Sequence, residues 1–444
     1  MAEATSEAPL DSVDRRLRWL GYAYLILLVF EGALRKWILP GFSDPLLLVR
    51  EPIVLAAYGL CLVHQRFPWN RYVVVGFTIA FLSVVVTMFV GHRDPVVAAY
   101  GFRTNFLHLP FAFIMGRVFF RDDVIRIGRW WLWGSVLMTA IIVAQFYFPQ
   151  SAWINRSVGG MEGGGFAGAG GRYRPPGTFS FIIGVVWFYT FAMAFLVAAM
   201  TQHKRYSKLF LILAAGAIIV AVPVSISRML ILSAGLTFLV GLLSSTVQKA
   251  AIFRFLRLAL FAGLGLFIAG QLEVFEEAKE TFFLRWEQAA AHTDQEAGEA
   301  IVSRIANDFL GPFQLEDGQP FFGLGIGAGT QVGVHLRTGE RGFELGEGEW
   351  FRIIGESGLI LGILFILWRI WVTVKLGRYT ITALRRGNGI GIILFSATAY
   401  NLLLGQLGQT TVNGFTVVGL GLTIAAMRTP PASKAESSPD GIPG

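Results

Sequence analysis

Residues 207–246 read SKLFLILAAGAIIVAVPVSISRMLILSAGLTFLVGLLSST, and after Lys208 the only charge in the run is Arg228. Crossing a bilayer core of roughly 30 Å at about 1.5 Å per helical residue takes about 20 apolar residues. The run is long enough for two crossings. Pro223 and the polar Ser225-Ile226-Ser227-Arg228 interrupt it, because proline ends a helix and a short polar cluster turns the chain. The stretch therefore reads as two spans, 207–224 and 228–246, joined by a very tight turn.

Similar runs recur at 17–39, 46–64, 72–91, 97–119, 127–148 and 177–200, and again at 254–271, 349–372, 388–406 and 413–427. Hydrophobic residues make up 54% of the 444 and charged residues 15%, against about 25% charged in soluble domains. The expectation is an all-α membrane protein with about twelve transmembrane helices, which excludes a soluble globular domain. Its parts are a cytoplasmic N-terminal tail over 1–16, nine helices over 17–271, a large loop over 272–348, three helices over 349–427, and a tail over 428–444. That tail is polar and rich in Pro and Ser, a composition that favours disorder.

Lysine and arginine set the orientation, since short loops rich in them stay cytoplasmic. Arg15, Arg16 and Arg18 begin one side, and alternate loops carry Arg66 and Arg71, then Arg121, Arg126 and Arg129, then Lys204, Arg205 and Lys208. The pattern continues with Lys249, Arg254 and Arg257, and with Lys375, Arg378, Arg385 and Arg386. Both termini are expected in the cytoplasm, and the N-terminus reads as an uncleaved first span rather than a signal peptide. The +8 net charge is explained by these loops; it forms no continuous basic stripe, so no nucleic-acid partner is expected. Cys61 stands alone, which excludes an internal disulfide and a cysteine-based zinc site.

Two long connections fall on the outer side. The first, 149–176, is glycine-rich and is the main exception to the rule that outer loops are poor in positive charge. The second, 272–348, opens with helix-forming sequence, ends glycine-rich, and holds 14 acids against 5 Lys or Arg. Ionisable residues within spans are costly and tend to face a cavity or a partner. Here they gather toward the outer side: Glu31, Arg35 and Lys36; Arg50 and Glu51; Arg103 and His108; Arg228. Interfacial anchoring accounts for some of these, with long side chains reaching the headgroups. Arg103 and Arg228 are less easily explained so. Converging arginines suit a phosphate, a diphosphate or a transported organic anion, because guanidinium binds such groups bidentately and stays charged. HExxH, CxxC, the Walker-type loop and paired Asp-x-Asp are all absent, so neither a metal nor another cofactor is expected. The glycines at 323, 325, 327 and 329 formally fit a dinucleotide fingerprint but lack a surrounding strand–helix unit. Tight backbone turning beside a ligand or a membrane surface is their expected role.

The segments SRIANDFLGPF (303–313), PFFGLGIGAGT (320–330) and EGEWFRIIGESGLILGILF (347–365) resemble the signature region of the O-antigen ligase and O-antigen polymerase family of bacterial membrane proteins. Arg174-Pro-Pro-Gly177-Thr178-Phe179 resembles that family's entry to a span, and Ser225-Ile-Ser227-Arg228 its turn. By motif the resemblance covers 170–365. It implies a GT-C-like fold in the bacterial inner membrane, with 272–348 periplasmic. It also implies transfer of a glycan from an undecaprenyl-diphosphate carrier to an acceptor hydroxyl of a glycan or lipid, without a metal. Arg174 and Arg228 would then hold the diphosphate, Arg103 is an added candidate, and Arg304 would hold donor or loop. One departure stands out: the ligase branch carries a histidine where this chain reads Gly346-Glu347-Gly348-Glu349-Trp350. Glu347 or Glu349 takes its place as candidate base or sugar-orienting group, with His335 close but out of register. The departure leans toward a polymerase-like member. A transporter of an anionic solute or lipid-linked sugar is the alternative, although only one helix break, near Pro223, is legible and transporters pair such breaks. A structural subunit of an envelope assembly is a third reading.

Overall fold

The structure is a computed structural model that describes residues 11–162, 168–201, 206–246, 263, 273–291, 321–339, 345 and 348–428. The regular elements among the described residues are all helices. Seven of them are long and apolar enough to cross a membrane, and three shorter apolar helices, Lys208–Val224, Ile390–Leu404 and Thr410–Ala426, pack among them. This is the architecture of a multi-pass membrane protein. The expected span at 254–271 lies outside the described residues except for Gly263.

Helix α1 (Ser12–Ala33) starts where Asp11 accepts a 2.8 Å hydrogen bond from the Asp14 amide, the usual way to satisfy an orphaned first-turn donor. It runs on into a π-helical turn, Leu34–Ile38. After two short helical turns comes α2 (Glu51–Val63), and then α3 (Arg71–Phe89), capped by Asn70. The expected span at 97–119 is not one helix. It is α4 (Pro95–Phe102), a π-helical turn over Arg103–Leu107, and α5 (Leu109–Val118), with Pro110 removing a donor just after the turn. There follow α6 (Arg121–Tyr147), α7 (Ile182–Thr201), α8 (Lys208–Val224) and α9 (Arg228–Thr246). The tight turn expected between α8 and α9 is present, with Ile226 at φ +50°. Helices α10 (Glu273–Ala291) and α11 (Gln331–Thr338) belong to the long connection. The chain closes with α12 (Glu349–Arg385), α13 (Ile390–Leu404) and α14 (Thr410–Ala426).

The core is built around α7 and α14, which are buried along most of their lengths. Helix α14 packs on α5 and α13, α7 on α6, α9 and α13, and α12 on α3 and α13. Small residues permit the close crossings: a Cβ on Gly116 of α5 would come within 2.7 Å of Ile424, and one on Gly128 of α6 within 2.6 Å of Phe195. The outer helices present Leu55, Leu62, Phe81, Phe89, Leu137 and Ile212 outward, each more than half exposed. Apolar surface on that scale is untenable in water and is what lipid tails cover.

Helix α12 is discontinuous. At Gly358 (φ +74°, ψ 176°) it breaks, and the glycine-rich segment 321–329 threads the break. The amides of Leu324 and Gly325 donate to the Gly355 and Glu356 carbonyls at 2.8 Å each, and the Leu359 amide donates to Phe321 O at 3.1 Å. Non-helical backbone survives at membrane depth only when protein satisfies it in this way. Gly323, Gly325 and Gly327 all sit at positive φ, and Gly101 of α4 meets Gly327 backbone to backbone. These glycines turn tightly, as their spacing predicts, and what they turn beside is a broken helix.

Candidate functional site

The Arg174–Phe179 segment is fixed by its backbone. Gly177 has φ +59°, and a Cβ there would lie 2.6 Å from Met138 Sδ. Its carbonyl accepts from Lys36 Nζ (2.6 Å) and Gln145 Nε2 (3.2 Å), and its amide donates to Gln145 Oε1 (2.7 Å). Thr178 Oγ1 donates to Val29 O at 2.7 Å, and Gly32 of α1 lies directly against the Phe179 backbone. So anchored, the segment places Arg174 in a cleft shared with Lys36, Gln150, Asn155, Arg156 and Tyr173.

Two further arginines approach from other elements. Gly168 packs on Ile226 in the α8–α9 turn, just before Arg228. Arg172 pairs with Glu277 of α10, and Gly170 lies against Thr281 and Leu284, next to Arg285 on the same helix. Burial first, and then the positive charges of Arg285 and Arg228, lower the Arg174 pKa below the ordinary guanidinium value. A guanidinium does not release its proton under such pressure; the pressure is felt as repulsion, which a bound anion relieves. The Nε atoms of Arg174 and Arg156 are both buried with no hydrogen-bond partner among the described residues.

A chain of polar contacts leads from this cleft into the helices. Ser180, also on the cleft wall, accepts from Arg35 Nη1 at 3.2 Å, and Arg35 pairs with Glu31 at 3.3 Å. Glu31 faces Arg50 at 3.4 Å; Arg50 donates to Tyr24 OH at 3.3 Å; Tyr24 OH lies 2.9 Å from His108 Nδ1. His108 Nε2 lies 3.3 Å from Glu51, which also pairs with Arg103. Buried Arg35, Arg50 and Arg103 stand against buried Glu31 and Glu51, three guanidiniums to two carboxylates, while the buried Lys36 amine bonds the Gly177 carbonyl. Arg103 Nη1 and Glu51 Oε2 are buried and have no partner among the described residues.

Helix α12 carries a second buried network, which meets the α4–α5 turn of the first at Asn105. Arg352 donates to Glu349 (2.9 and 3.0 Å), to Glu356 (2.8 Å) and to Asn105 Oδ1 in the α4–α5 turn (2.8 Å). Arg369 donates to Glu349 at 2.7 Å and also holds the carbonyls of Asn401, Leu402 and Gly405 at the end of α13. The Leu407 amide reaches Glu349, and the Gly329 amide reaches Glu356 at 2.9 Å. Neither carboxylate has exposed side-chain surface. Two acids meet two arginines, and the network is closed.

The structure thus brings Arg174 and Arg228 to one place and puts Arg103 in a separate pairing with Glu51. Glu349, a candidate base by sequence, is buried with its oxygens bonded by Arg352, Arg369 and the Leu407 amide. His335 is exposed on α11. Glu347 and Arg304 lie outside the described residues. Sequence reasoning did not single out Arg156, Arg285, Arg352 or Arg369. For Arg156 a signal existed: the 149–176 connection was the main exception to the rule that outer loops are poor in positive charge.

No protein-family model matches the chain, and no curated protein matches it. The functional reading therefore rests on the residues themselves.

Proposed function

We propose that this protein is a glycosyltransferase of the O-antigen polymerase or ligase type, acting at the outer face of the bacterial inner membrane on undecaprenyl-diphosphate-linked glycans. On this reading about twelve spans form a GT-C-like body, 272–348 is periplasmic and both termini are cytoplasmic. The observation that carries it is the cleft that holds Arg174 beside Lys36 and Arg156, with the positive charges of Arg228 and Arg285 acting on Arg174 from neighbouring elements. Such a site gains most from a ligand carrying several negative charges, and bidentate guanidinium contacts suit phosphate oxygens.

In the reaction the acceptor oxygen bonds to the anomeric carbon as the bond from that carbon to the diphosphate oxygen breaks. The electron pair leaves with the lipid diphosphate, and the acceptor proton passes to a base. Charge develops on the departing diphosphate, where Arg174 and Arg228 are placed to stabilise it. Arg304 belongs to donor or loop binding. Glu347 is the candidate base; Glu349, closed within its ion pairs, positions α12 instead. Arg103, neutralised by Glu51, supports the cleft through the polar chain that ends at Ser180.

The test is the length of envelope glycans in cells with and without the gene. Loss of long chains with single lipid-linked units accumulating identifies a polymerase, and long chains left on the carrier identify a ligase. Full glycan output from an Arg174→Ala, Arg228→Ala double variant sinks the enzymatic reading. One observation favours transport of an anionic solute or lipid-linked sugar instead: helix breaks at Arg103–Leu107 and Gly358 face each other through Asn105 and Arg352, as paired broken helices do in transporters. An unchanged glycan profile moves the weight there.

A further inference from the structure

The cleft has a wall that phosphate chemistry alone does not require. Residues 149–161 are pinned into a fixed shape: Asn155 Nδ2 donates to Phe148 O and Pro149 O at 3.0 Å each, and Gln145 Nε2 donates to Ile154 O at 3.0 Å. Gly160 packs on Pro40, where a Cβ would lie 3.0 Å from the ring. The wall thus leans on the turn that follows α1. There Trp153 stacks on Trp37, ring centroids 5.4 Å apart and planes at 29°, and the Lys36 ammonium sits 4.6 Å from the Trp37 ring centre. Trp153 is 55% exposed, and the buried Nε1 of Trp37 has no partner among the described residues. Gln150, Tyr173 and Ser157 line the same cleft beside Arg156 and Arg174.

Cations and the Gln150 amide line the cleft, and the stacked tryptophans stand next to it beside Lys36, a combination that matches a ligand that is itself two-part. Phosphate oxygens take the guanidinium and ammonium groups. A pyranose offers an apolar C–H face to a ring such as indole, and hydroxyls to an amide. We infer that the 150–157 segment with Trp37 is a saccharide subsite, Trp153 and Gln150 reading the first sugar of a glycan whose phosphates lie on Arg156, Arg174 and Lys36. This rests on the glycosyl-transfer reading and adds where the sugar is recognised. The simpler role for an exposed tryptophan here is anchoring at the membrane interface, and the two roles differ in what they do to substrate affinity.

The experiment uses the purified full chain in detergent, with lipid-linked glycan extracted from cells lacking the gene as donor and sugar-free undecaprenyl diphosphate as competitor. Trp153→Ala and Gln150→Ala should each raise the donor KM about tenfold, the scale of losing one well-placed contact. Inhibition by the sugar-free lipid should be unchanged, and Trp153→Phe should restore most of the affinity. An unchanged donor KM in both alanine variants overturns the subsite, and so does an equal weakening of the sugar-free competitor. Should Trp153→Ala not fold, Gln150→Ala decides alone. Absence of transfer by the wild-type chain overturns the glycosyl-transfer reading and the subsite with it, whereas transfer lost in Arg174→Ala but with KM unmoved in the wall variants overturns the subsite only.

Discussion

The two buried charge networks are made of the same residue types and do different things. In the α12 network Glu349 and Glu356 balance Arg352 and Arg369, and none of these four side chains has a buried polar atom without a partner. Around the end of α1, three guanidiniums face two carboxylates, and among the described residues Arg103, Glu51 and the nearby Arg156 and Arg174 keep unpartnered buried atoms. Charge balance with full satisfaction marks a network that holds helices together. An excess of one sign, with groups left unanswered, marks one organised for something else to bind. The α12 network joins α12 to the α4–α5 turn and to the end of α13, whereas the α1 network ends on the wall of an open cleft.

Breaking the closed network should have the largest effect. Arg369→Ala leaves Glu349 short of a partner and uncaps three carbonyls, and removing one member of a buried pair costs about 3–5 kcal/mol. Thermal unfolding in detergent should show a large drop, and a near-unchanged midpoint would break the contrast between the networks. Arg174→Ala should do the reverse. Losing one donor to developing charge lowers transfer by about 10²-fold or more, while the melting temperature holds or rises because repulsion with Arg228 and Arg285 is gone. A stability loss matching that of Arg369→Ala would make Arg174 a scaffold residue.

Gly177→Ala comes next. At φ +59°, with Met138 Sδ where the new methyl would go, the strain is about 1–3 kcal/mol. Both the melting temperature and transfer should fall, because this residue sets the position of Arg174. The smallest effect should be at the opposite end of α1, where the ion pairs are solvated. The hydrogen bond from Arg66, and then that from the Asp14 amide, hold the Asp11 carboxyl down at about 2. A folded pKa below the unfolded value of about 3.9 gives stabilisation that is complete above that value and lost as pH falls toward 2. Asp11→Asn should therefore lower the melting temperature slightly at neutral pH and leave it unchanged near pH 2. An effect at pH 7 as large as that of Gly177→Ala would mean that this end is also organised for function.

The membrane class of this protein was legible in the sequence because hydropathy is additive along the chain: each span must bury about the same apolar length, and 207–246 declares two at once. The turn at Pro223 to Arg228 was legible for the same local reason. Charge balance was not legible. Whether Arg103 is answered by Glu51, 52 positions away, depends on which helices touch. Glu349 and Arg352 stand three apart on one helix, but Arg369, 20 positions from Glu349, would lie about 30 Å off along an unbroken helix and reaches it in a helix that breaks at Gly358. The span at 97–119 reads as continuous because hydropathy does not register a π-helical turn, and α12 reads as unbroken because a lone glycine at 358 is common in apolar helices. Local sequence determined what must lie in the bilayer; the pairing of buried charges, which separates scaffold from site, was decided only by tertiary packing, since Coulomb and hydrogen-bond energies depend on distance in space.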